Sequence, residues 1–299
     1  DRYIAAILGG IANSFLDTGV IPACVEILEP RSSMATMLTK FSMSCAQLLL
    51  PFMIGAIVAA NLSLNILLYV CGVAILVIGI LVLFIPLPEM KKVAKEKTSL
   101  IQDIKNANFS LKSFALILIG FTGTATFQLW LNCAQTFGTE IAKIPSQNVS
   151  VMQTYYSAGT MVALFVTSVL ITKFKQVRFL VIYPAISLVM LALVYIIKTP
   201  MICYVGAFVI GYAAAGGVLQ MATAVVNDLF PKIKGTITSL VMIASSLCNY
   251  TILTAAAKMT STSVIMMNIV ITAIGILLAL FVNVRYGVLL KNAEEASKN

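Results

Sequence analysis

An aspartate sits inside an apolar run near the start of this chain. The stretch LGGIANSFLDTGVIPACVEILEPRSS, Leu8 to Ser33, has the length of a membrane helix and carries Asp17 near its middle. A carboxylate at bilayer depth costs roughly 2.5–3.5 kcal/mol on insertion scales, so it persists where it faces protein or a water-filled cavity. The chemistry open to it is proton uptake and release, contact with a polar solute, or a buried ion pair. Lys40, about two turns inside the next span, is a partner for that pair or a side chain that snorkels back to the interface. Asn13 is a further polar candidate on the first span. The chain has no histidine, so carboxylates must carry any proton chemistry.

A second group is made of amides. The run from Phe114 to Gly138 contains Gln128, Trp130, Asn132 and Gln135. Gln128, Asn132 and Gln135 stand at i, i+4 and i+7, which places them on one helical face. Amides on a common face suit the hydroxyls of a sugar or another polyol, and an aromatic ring suits a sugar's apolar side. The plainer reading is interhelical hydrogen bonding, worth about 0.6 kcal/mol per pair in membranes. Trp130 also fits the role of an anchor at the interface. Gln220 and Asn249 are the remaining deep amides of the second half. Tyr155 and Tyr156 open a span near the outer surface, where a belt or a gate explains them. Glu26, Asn227 and Asp228 lie within a turn of loops bearing Lys173, Lys175 and Arg178, and read as an inward gate. Glu140 with Lys143 reads as a surface pair.

No nucleophile stands beside a base, no metal-ligand spacing occurs, and there is no phosphate loop. The pattern argues against an enzyme and calls for neither a metal nor a cofactor. The six cysteines are scattered singly through apolar runs and read as small buried residues.

The elements that must position these groups are membrane helices. The 299 residues are 60% hydrophobic and 10% charged, with a mean hydropathy of +0.99. Soluble domains are about 25% charged, so this is an integral membrane protein. Its apolar runs are too long for barrel strands. Nine runs are long enough to cross the bilayer: about 3–28, 36–60, 64–87, 114–138, 151–172, 179–197, 202–229, 236–257 and 262–288. They divide into residues 1–88, a polar linker at 89–113, and residues 114–299. The linker carries Lys91, Lys92, Lys95, Lys97, Lys105 and Lys112, and its SLIQDIKNANF segment suits a short surface helix. With the linker in the cytoplasm, alternation puts Arg31, Lys173, Lys175, Arg178, Lys232, Lys234 and the basic tail inside as well. Only Arg2, Lys143, Lys198 and Lys258 fall outside, in keeping with the positive-inside rule. The +9 net charge therefore needs no nucleic acid to explain it.

The halves also repeat. A shift of 201 positions lays Gly10 on Gly211, Glu26 on Asn227 and Pro30 on Pro231. Internal repeats in helical membrane proteins point to transporters with a site between the halves. Six spans follow the linker and three precede it, so equal halves imply three further spans before residue 1.

At this point the chain resembles the major facilitator superfamily, whose plan is twelve helices in two six-helix bundles around a basic central loop. The chain resembles helices four to twelve of that plan. More narrowly, SFLDTGVIPACVEILEPRSS and GTMVALFVTSVLITKF resemble helices four and eight of the fucose permease group. That resemblance implies a role for Asp17 in sugar recognition or proton coupling. Two departures, Leu164 where an arginine is frequent and Ile21 where an asparagine follows the threonine, point away from fucose itself. The expectation is an all-α, two-bundle secondary transporter that takes up a small neutral solute such as a sugar with a proton, by alternating access. It would work as a monomer in a bacterial plasma membrane. The alternatives are an exporter of sugars or lipophilic compounds, and a nontransporting membrane sensor on the same fold.

Overall fold

A computed structural model describes residues 4, 7–12, 32–63, 65–84, 111–229, 234–284 and 286–288. Its described secondary structure is entirely helical. The chain divides into two compact units, Asp1–Lys95 and Glu96–Asn299. The SLIQDIKNANF segment of the linker lies outside the described residues, as do Pro30 and Pro231 of the repeat.

The first unit contains α1 (Ser32–Ala59) and α2 (Asn65–Leu83). Asn61 in the left-handed region, with φ 53°, turns the chain between them. Helix α2 has a mean hydropathy of 3.1 over its most apolar window, and none of its residues is buried. A helix of that length and apolarity suits the hydrocarbon core of a bilayer.

The second unit contains α3 (Leu111–Glu140), α4 (Val151–Lys173), α5 (Gln176–Ile197), α6 (Pro200–Ile210), α7 (Val218–Leu229), α8 (Lys234–Ala256) and α9 (Ser261–Asn283). Local signals set the boundaries. Lys198 closes α5 in a left-handed cap, and Pro200 opens α6 at a position where its missing N–H costs nothing. Thr260 caps α9 by accepting a hydrogen bond from the Ser263 amide at 3.3 Å. Five described helices are long and apolar enough to cross a membrane: α2, α5, α9 and the bulk of α3 and α8.

The expected span at 202–229 is not one continuous α-helix. It runs as α6, a π-helical turn at Gly211–Ala215, a break at Gly216 and Gly217, and then α7. Gly217 has φ +151°, which side chains other than glycine rarely adopt. The π-turn also lies against α4 with no room between the backbones. A Cβ on Gly159 would strike the Phe208 carbonyl oxygen, and one on Gly211 would strike that of Tyr156. Thr160 Oγ1 spans the same contact, donating to the Gly211 carbonyl at 3.2 Å. Small residues let membrane helices approach this closely.

Packing in the second unit is layered. Toward the linker end, Leu116, Ile119, Leu180, Val218, Val225, Ile237 and Val282 form one apolar cluster. Toward the other end, Trp130, Phe137, Met190, Leu191, Cys203, Ile210 and Ile265 form another. Between them, in chain order along α3, α5 and α9, lies a buried layer of Thr122, Thr126, Ser187, Asn268 and Thr272.

Candidate functional site

Helix α3 carries three of the described candidate residues, Gln128, Asn132 and Gln135. The half of α3 away from the linker turns a polar strip outward: Asn132 and Thr136 are exposed, and Gln128, Gln135 and Thr139 are half-buried. Asn132 Nδ2 donates to the Gln128 carbonyl at 2.8 Å and to Gln128 Oε1 at 3.1 Å. Two turns on, Thr139 Oγ1 donates to the backbone carbonyls of Gln135 and Thr136. The strip ends at Glu140, whose carboxylate accepts from Ser261 Oγ at the start of α9. That bond ties the C-terminus of α3 to the N-terminus of α9, the end that favours a negative charge, in place of the surface pair with Lys143 that the sequence suggested.

The exposed strips of two neighbouring helices differ sharply. On α5 the exposed positions along the helix are Ile182, Ile186, Val189, Leu193 and Ile196, and on α9 they are Met266, Val270, Ile274, Leu277 and Phe281. Those strips suit lipid. The strip on α3 does not.

Helix α8 runs parallel to α3 in a fixed register. A Cβ at Gly120 would lie 2.8 Å from Val241 Cγ1. One turn on, the hydroxyls of Thr124 and Ser245, 121 positions apart, are 2.8 Å from each other. The next turn at that offset brings Asn249 level with Gln128. Asn249 Oδ1 is buried and has no hydrogen-bond partner. A buried amide oxygen without a donor is costly, and it marks a place where one is wanted.

Trp130 is displaced from the role the sequence gave it. It is 2% exposed and packs in the outer apolar cluster, with its ring 3.1 Å from where a Cβ on Gly206 would stand. Two residues along a helix is roughly 200° of rotation, so the ring lies on the side opposite the amides. It is neither a sugar platform nor an interface anchor. Tyr156 is buried too, while Tyr155 is exposed and packs its ring against Tyr204 at 5.6 Å.

The other expected site residues divide between backbone placement and none. Lys40 lies in α1, and Gln220, Asn227 and Asp228 lie in α7, whose buried residues are Val218, Met221, Ala222, Val225 and Val226. The side chains of these four are outside the described set. Asn13, Asp17 and Glu26 lie wholly outside the described residues. Among the described residues, no group of histidine, cysteine, aspartate or glutamate is arranged to hold a metal ion.

The buried hydroxyl layer is what the sequence reading missed. Thr126 Oγ1 and Thr272 Oγ1 are 2.8 Å apart, Asn268 Nδ2 donates to the Thr126 carbonyl at 3.1 Å, and Thr272 donates to the Asn268 carbonyl at 2.7 Å. A signal was present in the i, i+4 spacing of Thr122 with Thr126 and of Asn268 with Thr272.

Known proteins resemble this chain over most of its length. It is 27% identical over 288 residues to the inner membrane transport protein YdiN of Escherichia coli (strain K12), covering 95% of this chain and 68% of that protein. It is 30% identical over 291 residues to the inner membrane transport protein YdiM of the same organism, covering 95% and 71%. An uncharacterized MFS-type transporter of Bacillus subtilis (strain 168), YfkL, is 31% identical over 255 residues, covering 83% of this chain and 63% of that protein. The chain thus spans about two thirds of the length of these relatives. The family model of the Major Facilitator Superfamily matches residues 3–251, and with its helical membrane fold the chain belongs to that superfamily of membrane transporters.

Proposed function

We propose that this protein takes up a small neutral polyhydroxylated solute, a sugar or a close analogue, together with a proton, as a secondary active transporter. The observation that carries the solute class is the polar outer strip of α3. An amide turned toward lipid has no hydrogen-bonding partners there, so this strip belongs beside water or protein inside the membrane. Gln128 and Asn132 hold each other through one side-chain bond at 3.1 Å, and an amide has further donor and acceptor positions to offer. Asn249 Oδ1 needs a donor, which a hydroxyl supplies. Amides bind hydroxyls without balancing a charge, which favours a neutral solute. Gln135 and Gln220 extend the set. The likeness of SFLDTGVIPACVEILEPRSS to the fucose permease group supports a sugar.

Asp17 is the residue assigned to the proton in this reading, with Lys40 as its partner and Asn13 beside it. Glu26, Asn227 and Asp228 are assigned to the gate on the linker side. The test is uptake of labelled hexoses, pentoses and polyols into vesicles holding the full-length protein, with and without an inward proton gradient. Accumulation that a protonophore abolishes is the expected result. Asp17→Asn should then keep exchange at equal concentrations and lose accumulation. Uptake indifferent to the gradient, or an Asp17→Asn variant that still concentrates solute, rejects the coupling. Movement only outward identifies an exporter.

A further inference from the structure

We propose that a water molecule is bound inside the second unit, where α3, α5 and α9 meet, and that it completes the hydrogen bonding of Ser187. A partly open recess with about 10 Å³ of room lies there, where Thr122, Thr126, Ser187 and Thr272 meet apolar residues such as Ile119 and Val218. That is close to the room one water needs. Ser187 is 0% exposed, and its Oγ has no hydrogen-bond partner. A serine within a helix usually bonds to the carbonyl one turn back, and Ser187 does not take that option. Empty cavities in proteins are apolar, whereas voids lined by several polar groups are hydrated.

Counting protons identifies the partners. Thr272 donates its single hydroxyl proton to the Asn268 carbonyl at 2.7 Å. Thr126 then gives its own to Thr272 Oγ1 at 2.8 Å or to the Thr122 carbonyl at 3.0 Å. Thr122 gives its proton to the Ile119 carbonyl at 3.3 Å. Each threonine thus spends its proton, and the oxygens of Thr122 and Thr126 keep lone pairs that can accept. Ser187 still has a proton to give. A water that accepts from Ser187 and donates to the two threonines satisfies all three, within the two to four bonds a buried water makes. Pro184 adds a reason for hydration at this level. It has no N–H, so the Leu180 carbonyl lacks its usual donor one turn on. Gly275 keeps the space open, because a Cβ there would lie 2.8 Å from Thr122 Oγ1.

Thermal unfolding of the full-length protein in detergent decides the matter through the sign of the change. If a water links Ser187 to the threonines, both Ser187→Ala and Ser187→Cys break the link, and both melt several degrees lower. If the site is dry, Ser187 is an unsatisfied buried hydroxyl, and its removal leaves the Tm unchanged or raises it. An unchanged or raised Tm for Ser187→Ala overturns the proposal. So does a fall in Ser187→Ala with Ser187→Cys at the wild-type value, because the somewhat larger cysteine fills the space and the loss would then be one of packing.

Discussion

The two sides of α3 treat polar residues in opposite ways. On one side Thr122 and Thr126 are buried, and Thr126 reaches the Thr272 hydroxyl on α9 at 2.8 Å. On the other, Gln128 and Asn132 bond to each other, and Asn249, level with Gln128 on α8, has a buried oxygen without a donor. The first side sends its threonine protons to partners inside the bundle. The second keeps capacity in reserve. In a membrane, polar groups cost more to leave unpaired, and on the proposed function the second side is the one that meets the solute.

The comparison breaks most completely where the backbones touch. Gly211→Val should leave no folded protein, because its Cβ has no room against the Tyr156 carbonyl; a monodisperse peak on size exclusion would refute the contact. Next in size is Thr126→Val, which removes the bond to Thr272 and should cost about 0.5–1.5 kcal/mol of stability. Solute affinity per folded molecule should be unchanged, as measured by binding to purified protein. Asn249→Leu should behave in reverse. Its Tm should hold or rise, since an unpaired oxygen is removed, while affinity for the transported solute falls about tenfold, or ~1.4 kcal/mol. Equal affinity in that variant would return Asn249 to a structural role. The smallest effect sharpens the register. A double-mutant cycle on Gln128→Ala and Asn249→Ala should give a coupling of at least about 0.5 kcal/mol in solute binding, as residues sharing one ligand do. Strict additivity would place them at separate contacts.

Much of this fold is legible in the sequence because length and apolarity alone specify a membrane helix. The helices of the second unit fall where the apolar runs are, down to the tight turn at Phe174 and Lys175. The break in the span at 200–229 is less so. Glycines serve both as packing surfaces and as breaks in membrane helices, and Gly211, Gly216 and Gly217 do both within seven positions. The amide face of α3 follows from the spacing of Gln128, Asn132 and Gln135. Trp130 was misjudged by residue type, although the same spacing puts it on the opposite side. The hydroxyl layer escaped notice because threonine and serine are nearly neutral in hydropathy. Their meaning depends on which helix lies opposite, and no single span records that.

Trp130 has one more consequence. It is the only tryptophan in the chain, it is shielded from solvent, and it sits on the back of the helix whose front carries Gln128 and Asn132. Within residues 1–299 its emission belongs to a single known position. Aqueous quenchers should scarcely dim it while the bundle is intact, and a shift on adding solute would register as movement of α3. The molecule carries its own optical gauge.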